Sequence, residues 1–278
     1  MNSEGTTEER EQIEIHLLLE GFYQLYGYDF RNYSSSSIRR RIWHRVHAER
    51  LPTITALTER LLHDRTVMNR LLSDLTIHVT EMFRDPEVFR AFRERVVPLL
   101  RTYPFIRVWH AGCSTGEEVY SMAILLKEEG LYEKSRIYAT DMNERVLETA
   151  KEGVFPIDRM QAFTRNYMEA GGKEAFSKYY TAKYDSVMFH AELKANIVFA
   201  QHNLVTDTSF NEFNVIFCRN VMIYFNKELQ DHVHGLFYGS LSTFGILALG
   251  TKESINFTRY ADAYEEIDPY SRLYRKIK

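Results

Sequence analysis

The stretch FIRVWHAGCSTGEEVYSMAILLKEEGLYEKSRIYATDMN, residues 105–143, decides the fold of this chain. It predicts a short strand, a tight turn of small residues, a helix opened by Glu117 and Glu118, and a second strand at 136–140 that ends in Asp141. Apolar side chains recur in the helix at i, i+3, i+4 and i+7, namely Val119, Met122, Ala123 and Leu126. This layout is typical of a nucleotide-type site at the carboxyl end of a parallel sheet.

The same stretch predicts a ligand that carries hydroxyls and positive charge but no phosphate. The dinucleotide fingerprint is excluded because its third glycine is missing and acids take its place. Backbone amides at a helix start favour a phosphate, whereas a pair of carboxylates there repels one. S-adenosylmethionine fits, since it has a sulfonium, an ammonium and a ribose diol. Asp141 lies where the ribose-binding acid of such sheets falls.

Length and composition indicate a globular protein with one large or two modest domains. The chain has 278 residues, 45% of them hydrophobic, and a net charge of −3, so its overall charge does not favour nucleic acid or a membrane surface. Its polar beginning is unlike a signal peptide, and we expect no membrane insertion. Cys113 and Cys218 form no CxxC motif, and no metal-ligand cluster is evident. We expect reduced thiols in a cytoplasmic protein and no bound metal.

Residues 1–76 predict a small all-helical domain. Its helix at 38–49, IRRRIWHRVHAE, carries an apolar stripe on one face, and nearly all of its charged residues are positive. A solvated charged face is the competing interpretation, but the charge asymmetry in an acidic protein favours a docking surface for an acidic partner. The candidate docking residues are Arg39, Arg40, Arg41 and Arg45.

Residues 77–92 predict a linker followed by the first helix of a second domain, 93–278. The helix starts at Asp85-Pro86-Glu87, with an acid in the N-cap position and proline after it. Strands then alternate with helices, which predicts an α/β sheet with helices on both faces. The aromatic-rich run at 176–201 predicts a small antiparallel insertion, 153–175 looks irregular or partly helical, and 271–277 predicts a last strand.

Six sequence blocks carry a family resemblance in collinear order. They are TEMFRD at 80–85, CSTGEEVYS at 113–121, ATD at 139–141, HNL at 202–204, FCRNVMIYF at 217–225 and LGTKES at 249–254. Together they resemble the CheR family, S-adenosylmethionine-dependent methyltransferases of bacterial chemotaxis that methylate glutamate side chains of chemoreceptors. The resemblance covers nearly the whole chain. It implies an α/β fold: a Rossmann-like methyltransferase domain with a small antiparallel β-subdomain insertion, preceded by an all-helical N-terminal domain.

The resemblance also implies roles for individual residues. Arg84 and Tyr224 should face the transferred methyl group as the catalytic pair. The cofactor-binding set is His78, Thr80, Arg84, Gly112, Glu117, Asp141, Met142, Asn203, Leu204, Cys218 and Arg219. Two positions depart from the family pattern, since His78 stands where Asn is frequent and Met82-Phe83 replaces paired aromatics. The His78 departure puts one cofactor contact in question.

The sequence therefore predicts a protein-glutamate O-methyltransferase that releases S-adenosylhomocysteine. Its expected partner is the helical cytoplasmic domain of a chemoreceptor, with a receptor C-terminal tail as a further candidate for the β-subdomain. Two alternatives remain: a regulatory module that binds the cofactor or its product with little catalysis, and a methyltransferase for another protein. A small-molecule or RNA methyltransferase is favoured less, and RNA would require a basic groove or base-stacking aromatics, neither of which is found outside residues 39–45.

Overall fold

A computed structural model describes residues 6–76, 79–256 and 258–278. The chain divides into two compact units. The first comprises the described residues of Met1–Ile77 together with Tyr224–Gln230, and the second comprises the rest. Within the described residues, no helix is long and apolar enough to cross a membrane.

The first unit is helical. Its helices are α1 (Thr7–Tyr26), α2 (Ser35–Ala48), α3 (Ile54–His63) and α4 (Arg65–Leu75). A capping box starts α1: the Thr6 hydroxyl accepts from the Glu9 amide at 3.2 Å, and the Glu9 carboxylate accepts from the Thr6 amide at 2.6 Å. Gly27 ends the helix at φ +78°, a conformation that glycine adopts without steric cost.

An apolar stripe and an ionic network hold α2 against its neighbours. The predicted stripe of α2 is confirmed, since Ile38, Ile42 and Val46 are buried. On an adjoining face, Arg45 Nε donates to Asp74 Oδ2 of α4 at 2.6 Å. Glu49, which follows α2, accepts from Arg70 Nε of α4 at 2.7 Å.

The second unit is built on a mixed sheet that has seven strands among the described residues, in the order β6-β2-β1-β7-β8-β10-β9. The strands from β6 to β8 in this order run parallel, and β10 pairs antiparallel with both β8 and β9. The strands are β1 (Ile106–Ala111), β2 (Ser135–Asp141), β6 (Ile197–Gln201), β7 (Phe213–Cys218), β8 (Leu241–Leu249), β9 (Tyr264–Asp268) and β10 (Leu273–Lys276). The predicted fold class is confirmed.

Helices flank this sheet. They are α5 (Pro86–Ala91), α6 (Val97–Leu100), α7 (Glu117–Glu128), α8 (Glu144–Glu152), α9 (Met160–Glu169) and α10 (Lys227–Ser240), whose first residues belong to the first unit. A π-helical segment, Phe92–Val96, joins α5 to α6. The predicted stripe on α7 is buried throughout, including Val119 and Leu126. Asp85 stands at the N-cap position of α5, but its side chain makes no capping hydrogen bond.

A small antiparallel sheet completes the second unit. It consists of β3 (Val154–Pro156), β5 (Ser186–Phe189) and β4 (Tyr180–Lys183), in that order. The predicted insertion at 176–201 differs from this sheet at both ends. β3 comes from outside that range, and β6 pairs parallel with β2 in the large sheet. Alternating apolar residues show that a segment is a strand, but they do not show which sheet it joins.

Two further segments agree with their sequence-based description and add detail to it. The region 153–175 contains an amphipathic helix, α9, which buries Met160, Phe163 and Tyr167. The last strand predicted at 271–277 is confirmed as β10, and it pairs antiparallel with β9, a strand that was not predicted from the sequence. β9 is an edge strand that carries the exposed residues Glu265 and Glu266. Its sequence therefore lacks the run of apolar residues that marks a buried strand.

Candidate functional site

The candidate site lies where the parallel strands β1, β2 and β7 end. The turn after β1 is anchored on its neighbour, because the amides of Gly112 and Cys113 both donate to the Thr140 carbonyl at 2.8 Å. α7 follows this turn, and its N-cap residue is Gly116. The predicted sequence of strand, turn and helix therefore places its small-residue turn at the carboxyl edge of the sheet.

Two glycines of this turn are required by its geometry. Gly112 has φ +76°, and a Cβ there would lie 2.6 Å from Val221 Cγ2. Gly116 has φ +93°, and a Cβ there would lie 2.9 Å from the Ala150 side chain. Any L-residue at either position would combine an unfavourable backbone conformation with a clash. The turn is therefore fixed in shape before any ligand binds.

Asp141 is held at the end of β2 by backbone amides. Its Oδ2 accepts from the Ser114 amide at 3.0 Å, and its Oδ1 accepts from the Asn143 amide at 2.9 Å. Burial raises the pKa of this carboxyl, and the hydrogen bonds from the amides of Asn143, Ser114 and Met142 oppose that rise. The carboxylate is thus oriented across the ends of two neighbouring strands.

The two glutamates that open α7 have separate surroundings. Glu117 is buried, accepts from the Thr115 hydroxyl at 2.6 Å, and has a pKa that burial raises. Glu118 is paired with His110 Nδ1 at 3.1 Å and with Arg219 Nη1 at 2.8 Å. Burial alone would raise the pKa of Glu118, but its hydrogen bonds and cationic neighbours lower it. Glu118 is therefore part of an internal ion pair, while Glu117 remains beside the turn.

Arg159 was not predicted from the sequence, although it contacts two predicted site residues. Its Nη1 donates to Glu117 Oε1 at 3.2 Å, and its Nη2 donates to the Thr80 carbonyl at 2.6 Å. It lies in the 3-10 turn Ile157–Arg159, just after β3. No local motif marks it, since it is 42 residues from Glu117 in sequence.

The linker before α5 is fixed against the same helix. The Phe83 amide donates to the Ser121 hydroxyl of α7 at 2.8 Å. The Arg84 carbonyl accepts from Arg219 Nη1 at 3.1 Å, while Arg84 Nη1 donates to the Val79 carbonyl at 3.1 Å. The structure thus brings the linker to the first turns of α7. His78, predicted as a cofactor contact, lies outside the described residues.

Cys218 and Arg219 follow β7 at the same edge of the sheet. Cys218 is a free, buried thiol whose pKa burial raises far above its usual value, as burial also does for Cys113. Arg219 is almost wholly buried and donates to Asp85 Oδ2 at 2.6 Å as well as to Glu118. Its guanidinium therefore links the linker, α7 and β7.

Asn203, Leu204 and Met142 lie next to the ends of β6 and β2. Asn203 orders its own turn, since its amide donates to Asp207 Oδ2 at 2.8 Å and its Oδ1 accepts from the Val205 amide at 3.0 Å. Leu204 is buried, and Met142 is half-buried beside Asp141. Their roles toward a ligand stay predictions.

Tyr224 belongs to the first unit, so its predicted pairing with Arg84 stays a prediction. Within that unit its carbonyl accepts from the Ser34 amide at 2.7 Å, and the Arg41 guanidinium lies 5.7 Å from its ring centroid. Its backbone is thus held by the residue that precedes α2.

The four candidate docking cations of α2 fall into two pairs. Arg41 donates to the Asp74 carbonyl at 2.6 Å and Arg45 is bonded to the Asp74 side chain, so both guanidinium groups face α4. Arg39 and Arg40 are exposed, although Arg39 also donates to Glu11 at 2.6 Å. The predicted surface of four cations is therefore reduced to Arg39 and Arg40, because the other two hold the helices together.

The site fits S-adenosylmethionine chemically. Its buried carboxylates suit hydroxyls and an ammonium, and the amides of Ser114 and Asn143 that would attract a phosphate already donate to Asp141. The Ser114 hydroxyl is buried at the turn without a hydrogen-bond partner among the described residues, which leaves a polar group for a ligand. Among those residues no group of three or more His, Cys, Asp or Glu could hold a metal ion. When bound, the cofactor supplies a methyl group on a sulfonium.

Comparison with known proteins gives the same assignment over both units. Residues 78–268 match the family model "CheR methyltransferase, SAM binding domain", and residues 13–76 match "CheR methyltransferase, all-alpha domain". A protein of Pseudomonas putida named as a candidate methyltransferase, Cher3, is 52% identical over 98% of this chain and 99% of its own length. A "Chemotaxis protein methyltransferase" of Listeria innocua is 30% identical over 82% of this chain and 85% of its own.

Solved structures are more distant. One, PKMT2 from Rickettsia typhi, has a TM-score of 0.38 and 16% identity, and it aligns with 62% of this chain and 26% of its own length. Nothing about activity follows from a likeness of that size. The family models and the relatives, however, cover nearly all of the sequence. The chain belongs to the CheR family of methyltransferases, and its cofactor is S-adenosylmethionine.

Proposed function

We propose that this protein transfers a methyl group to glutamate side chains of chemoreceptors, giving glutamate methyl esters and S-adenosylhomocysteine. The match to both CheR domain models, together with relatives named as chemotaxis protein methyltransferases, is the observation that carries the proposal. The proposed setting is the cytoplasm, where the helical domains of such receptors lie.

For this reaction the protein mainly has to position the acceptor carboxylate and the methyl group. A glutamate side chain is already ionised at neutral pH, so no strong general base is needed. The main task is to hold the acceptor carboxylate in line with the methyl group in a dry pocket, an effect worth up to about 7–11 kcal/mol. The described site is consistent with this task, because internal hydrogen bonds fix its turn, its linker and its carboxylates.

Arg84 and Tyr224 are the proposed residues for placing the acceptor. The Arg84 guanidinium donates from Nη1 to the Val79 carbonyl. This hydrogen bond leaves most of its five N–H donors for a carboxylate. Tyr224 would offer a hydroxyl that orients the same carboxylate. Arg84 should position the acceptor loosely, since a tight ion pair would weaken it as a nucleophile.

Partner recognition is proposed to lie outside the cofactor site. The exposed cations Arg39 and Arg40 on α2 suit an acidic helical segment of a receptor. β4 is an edge strand of the small sheet, and three of its four residues are exposed, which suits addition of an extended receptor tail as a further strand. Tyr184, 89% exposed at the tip of the β4–β5 hairpin, would extend that surface.

Transfer of labelled methyl groups to purified receptor domains tests the proposal. We expect the wild-type enzyme to place base-labile label on the receptor. The rate of labelling should fall by about tenfold or more with Arg84→Ala and by a smaller factor with Tyr224→Phe. Label on another protein but not on any receptor would contradict the substrate and leave the chemistry intact. Tight binding of S-adenosylhomocysteine without turnover on any receptor would favour the alternative, a regulatory module that binds the cofactor.

A further inference from the structure

The guanidinium of Arg159 joins the cofactor turn to the linker. Nη1 donates to Glu117 Oε1 at 3.2 Å, Nη2 donates to the Thr80 carbonyl at 2.6 Å, and the guanidinium carbon lies 4.9 Å from the Phe163 ring centroid. The Arg159 side chain is 35% exposed, whereas that of Glu117 is 3% exposed. One face of the guanidinium therefore meets protein, and the rest of it is open to a ligand.

The charges at this position match both ends of an amino acid. The cofactor's methionyl group carries an α-ammonium and an α-carboxylate on one carbon atom. The family resemblance implies that Glu117 approaches the methionyl end of the cofactor, and its buried carboxylate suits the ammonium. Because the α-carboxylate and the α-ammonium share one carbon atom, a cation that binds the carboxylate must lie close to Glu117. Arg159 is a cation in direct contact with that residue.

Arg159 also has donors to spare. A guanidinium offers five N–H groups in a planar fork, and two of those of Arg159 have partners among the described residues. Arg84, the predicted cation of the linker, donates to Val79 and not to Glu117. Among the described residues, Arg159 is therefore the arginine that forms an ion pair with Glu117.

We infer that Arg159 binds the α-carboxylate of S-adenosylmethionine and its product, beside Glu117 for the α-ammonium. The two side chains form a zwitterion complementary to the amino-acid end of the ligand. They make the site selective for an adenosyl compound with an intact amino-acid group. This inference depends on cofactor binding alone and not on the acceptor proposed above.

Ligands that lack the carboxylate test this inference by calorimetry. The probes are S-adenosylhomocysteine, its decarboxylated analogue, which keeps the ammonium, and 5′-methylthioadenosine, which has neither group. Arg159→Ala should weaken binding of S-adenosylhomocysteine by about ten- to a hundredfold, because it removes a charge-assisted hydrogen bond. It should leave the decarboxylated analogue unchanged or bound more tightly, because the removed guanidinium repels an ammonium. Binding of 5′-methylthioadenosine should not change.

Three further variants make the result decisive. Arg159→Lys should restore part of the lost affinity for S-adenosylhomocysteine, since it keeps the positive charge. Arg165→Ala, at an exposed position of the adjoining helix α9, should bind every ligand as the wild type does. Arg84→Ala should not produce the carboxylate-dependent loss.

Two results would overturn the inference. An equal loss for all three ligands with Arg159→Ala would show that the residue only holds Thr80 and Glu117 in place. A carboxylate-dependent loss with Arg84→Ala and none with Arg159→Ala would assign the α-carboxylate to the linker instead. If Arg159→Ala does not fold, as judged by circular dichroism, the comparison of the ligands is made with Arg159→Lys.

Discussion

The guanidinium of Arg219 donates to the carboxylate of Glu118 at 2.8 Å, joining the end of β7 to the first turn of α7. The Arg219 side chain is only 1% exposed, and its other terminal nitrogen donates to Asp85. Glu118 therefore has a structural role, whereas Glu117 stays the proposed contact to the ligand.

Removing Arg219 should strongly destabilise the second unit. Arg219→Ala leaves Glu118, whose side chain is 18% exposed, without this buried cationic partner. Breaking a buried ion pair from one side typically costs about 3–5 kcal/mol. Urea unfolding followed by circular dichroism measures the change. Arg259→Ala is the matched control, because it removes an exposed ion pair to Asp231 and should cost less than about 1 kcal/mol. Equal effects of the two variants would contradict a structural role for Arg219.

Asp141→Asn should reduce affinity for S-adenosylhomocysteine. Both carboxylate oxygens of Asp141 accept from backbone amides, and an amide side chain offers one oxygen and one NH₂ group in their place. The NH₂ group would face a backbone donor, so both the turn and any contact to the ribose should be weakened. We expect calorimetry to give a dissociation constant that is larger by a factor of about ten or more. Asp158→Asn, at an exposed position, is the control, and a similar loss there would contradict the assignment.

Local sequence predicted the parts of the site that are local. Gly112, Glu117 and Asp141 belong to one strand-turn-helix-strand unit, and their residue types and spacing follow from its geometry. Arg159 could not be found this way, because it meets Glu117 only through the packing of the segment after β3. The strand β6 was identified as a strand but placed in the wrong sheet, since sheet membership depends on partners distant in sequence.

The four basic residues of α2 show the same limit. Their charge was evident from the sequence, but the acidic partner Asp74 is on another helix. A charge run therefore predicts exposure only when the surrounding elements carry no opposite charge. Arg45 faces α4 because of its ion pair with Asp74. Arg40 is exposed, and its role in docking an acidic partner stays a proposal.

Glu253 should prove essential for the loop that follows β7. Its carboxylate accepts from the amides of Gly250, Asn220, Val221, Met222 and Ile223, at 2.7–3.3 Å. Glu253→Ala would remove the shared acceptor of these amides, and a buried donor that loses its acceptor costs about 1–3 kcal/mol. Glu253→Gln keeps one acceptor oxygen and should lose less stability. The free energy of unfolding in urea should therefore fall in the order wild type, Gln, Ala.

A neighbouring residue provides the control for that series. Lys252 is exposed, so Lys252→Ala should leave the free energy of unfolding within about 0.5 kcal/mol of the wild type. Hydrogen exchange should also be faster at residues 220–223 in Glu253→Ala than elsewhere in the sheet. Unchanged exchange at these amides would show that the carboxylate does not hold the loop.

His234 on α10 should make the stability of the protein depend on pH. It is 2% exposed, and burial lowers its pKa to about 4 from an ordinary value of 6.5. The unfolded state binds the proton first, so this contribution to stability is fully present above pH 6.5 and is lost as pH falls toward 4. Between pH 7 and pH 5 the loss should be about 2 kcal/mol.

His234→Gln should remove that part of the pH dependence, because glutamine does not titrate. Urea unfolding at pH 7 and pH 5 measures the difference for each variant, and other groups that titrate contribute equally to both. His44→Gln, at an exposed position of α2, should keep the dependence of the wild type. If His234→Gln loses as much stability on acidification as the wild type does, then His234 is not the buried neutral imidazole that its packing on α10 implies, and another group must account for the acid sensitivity.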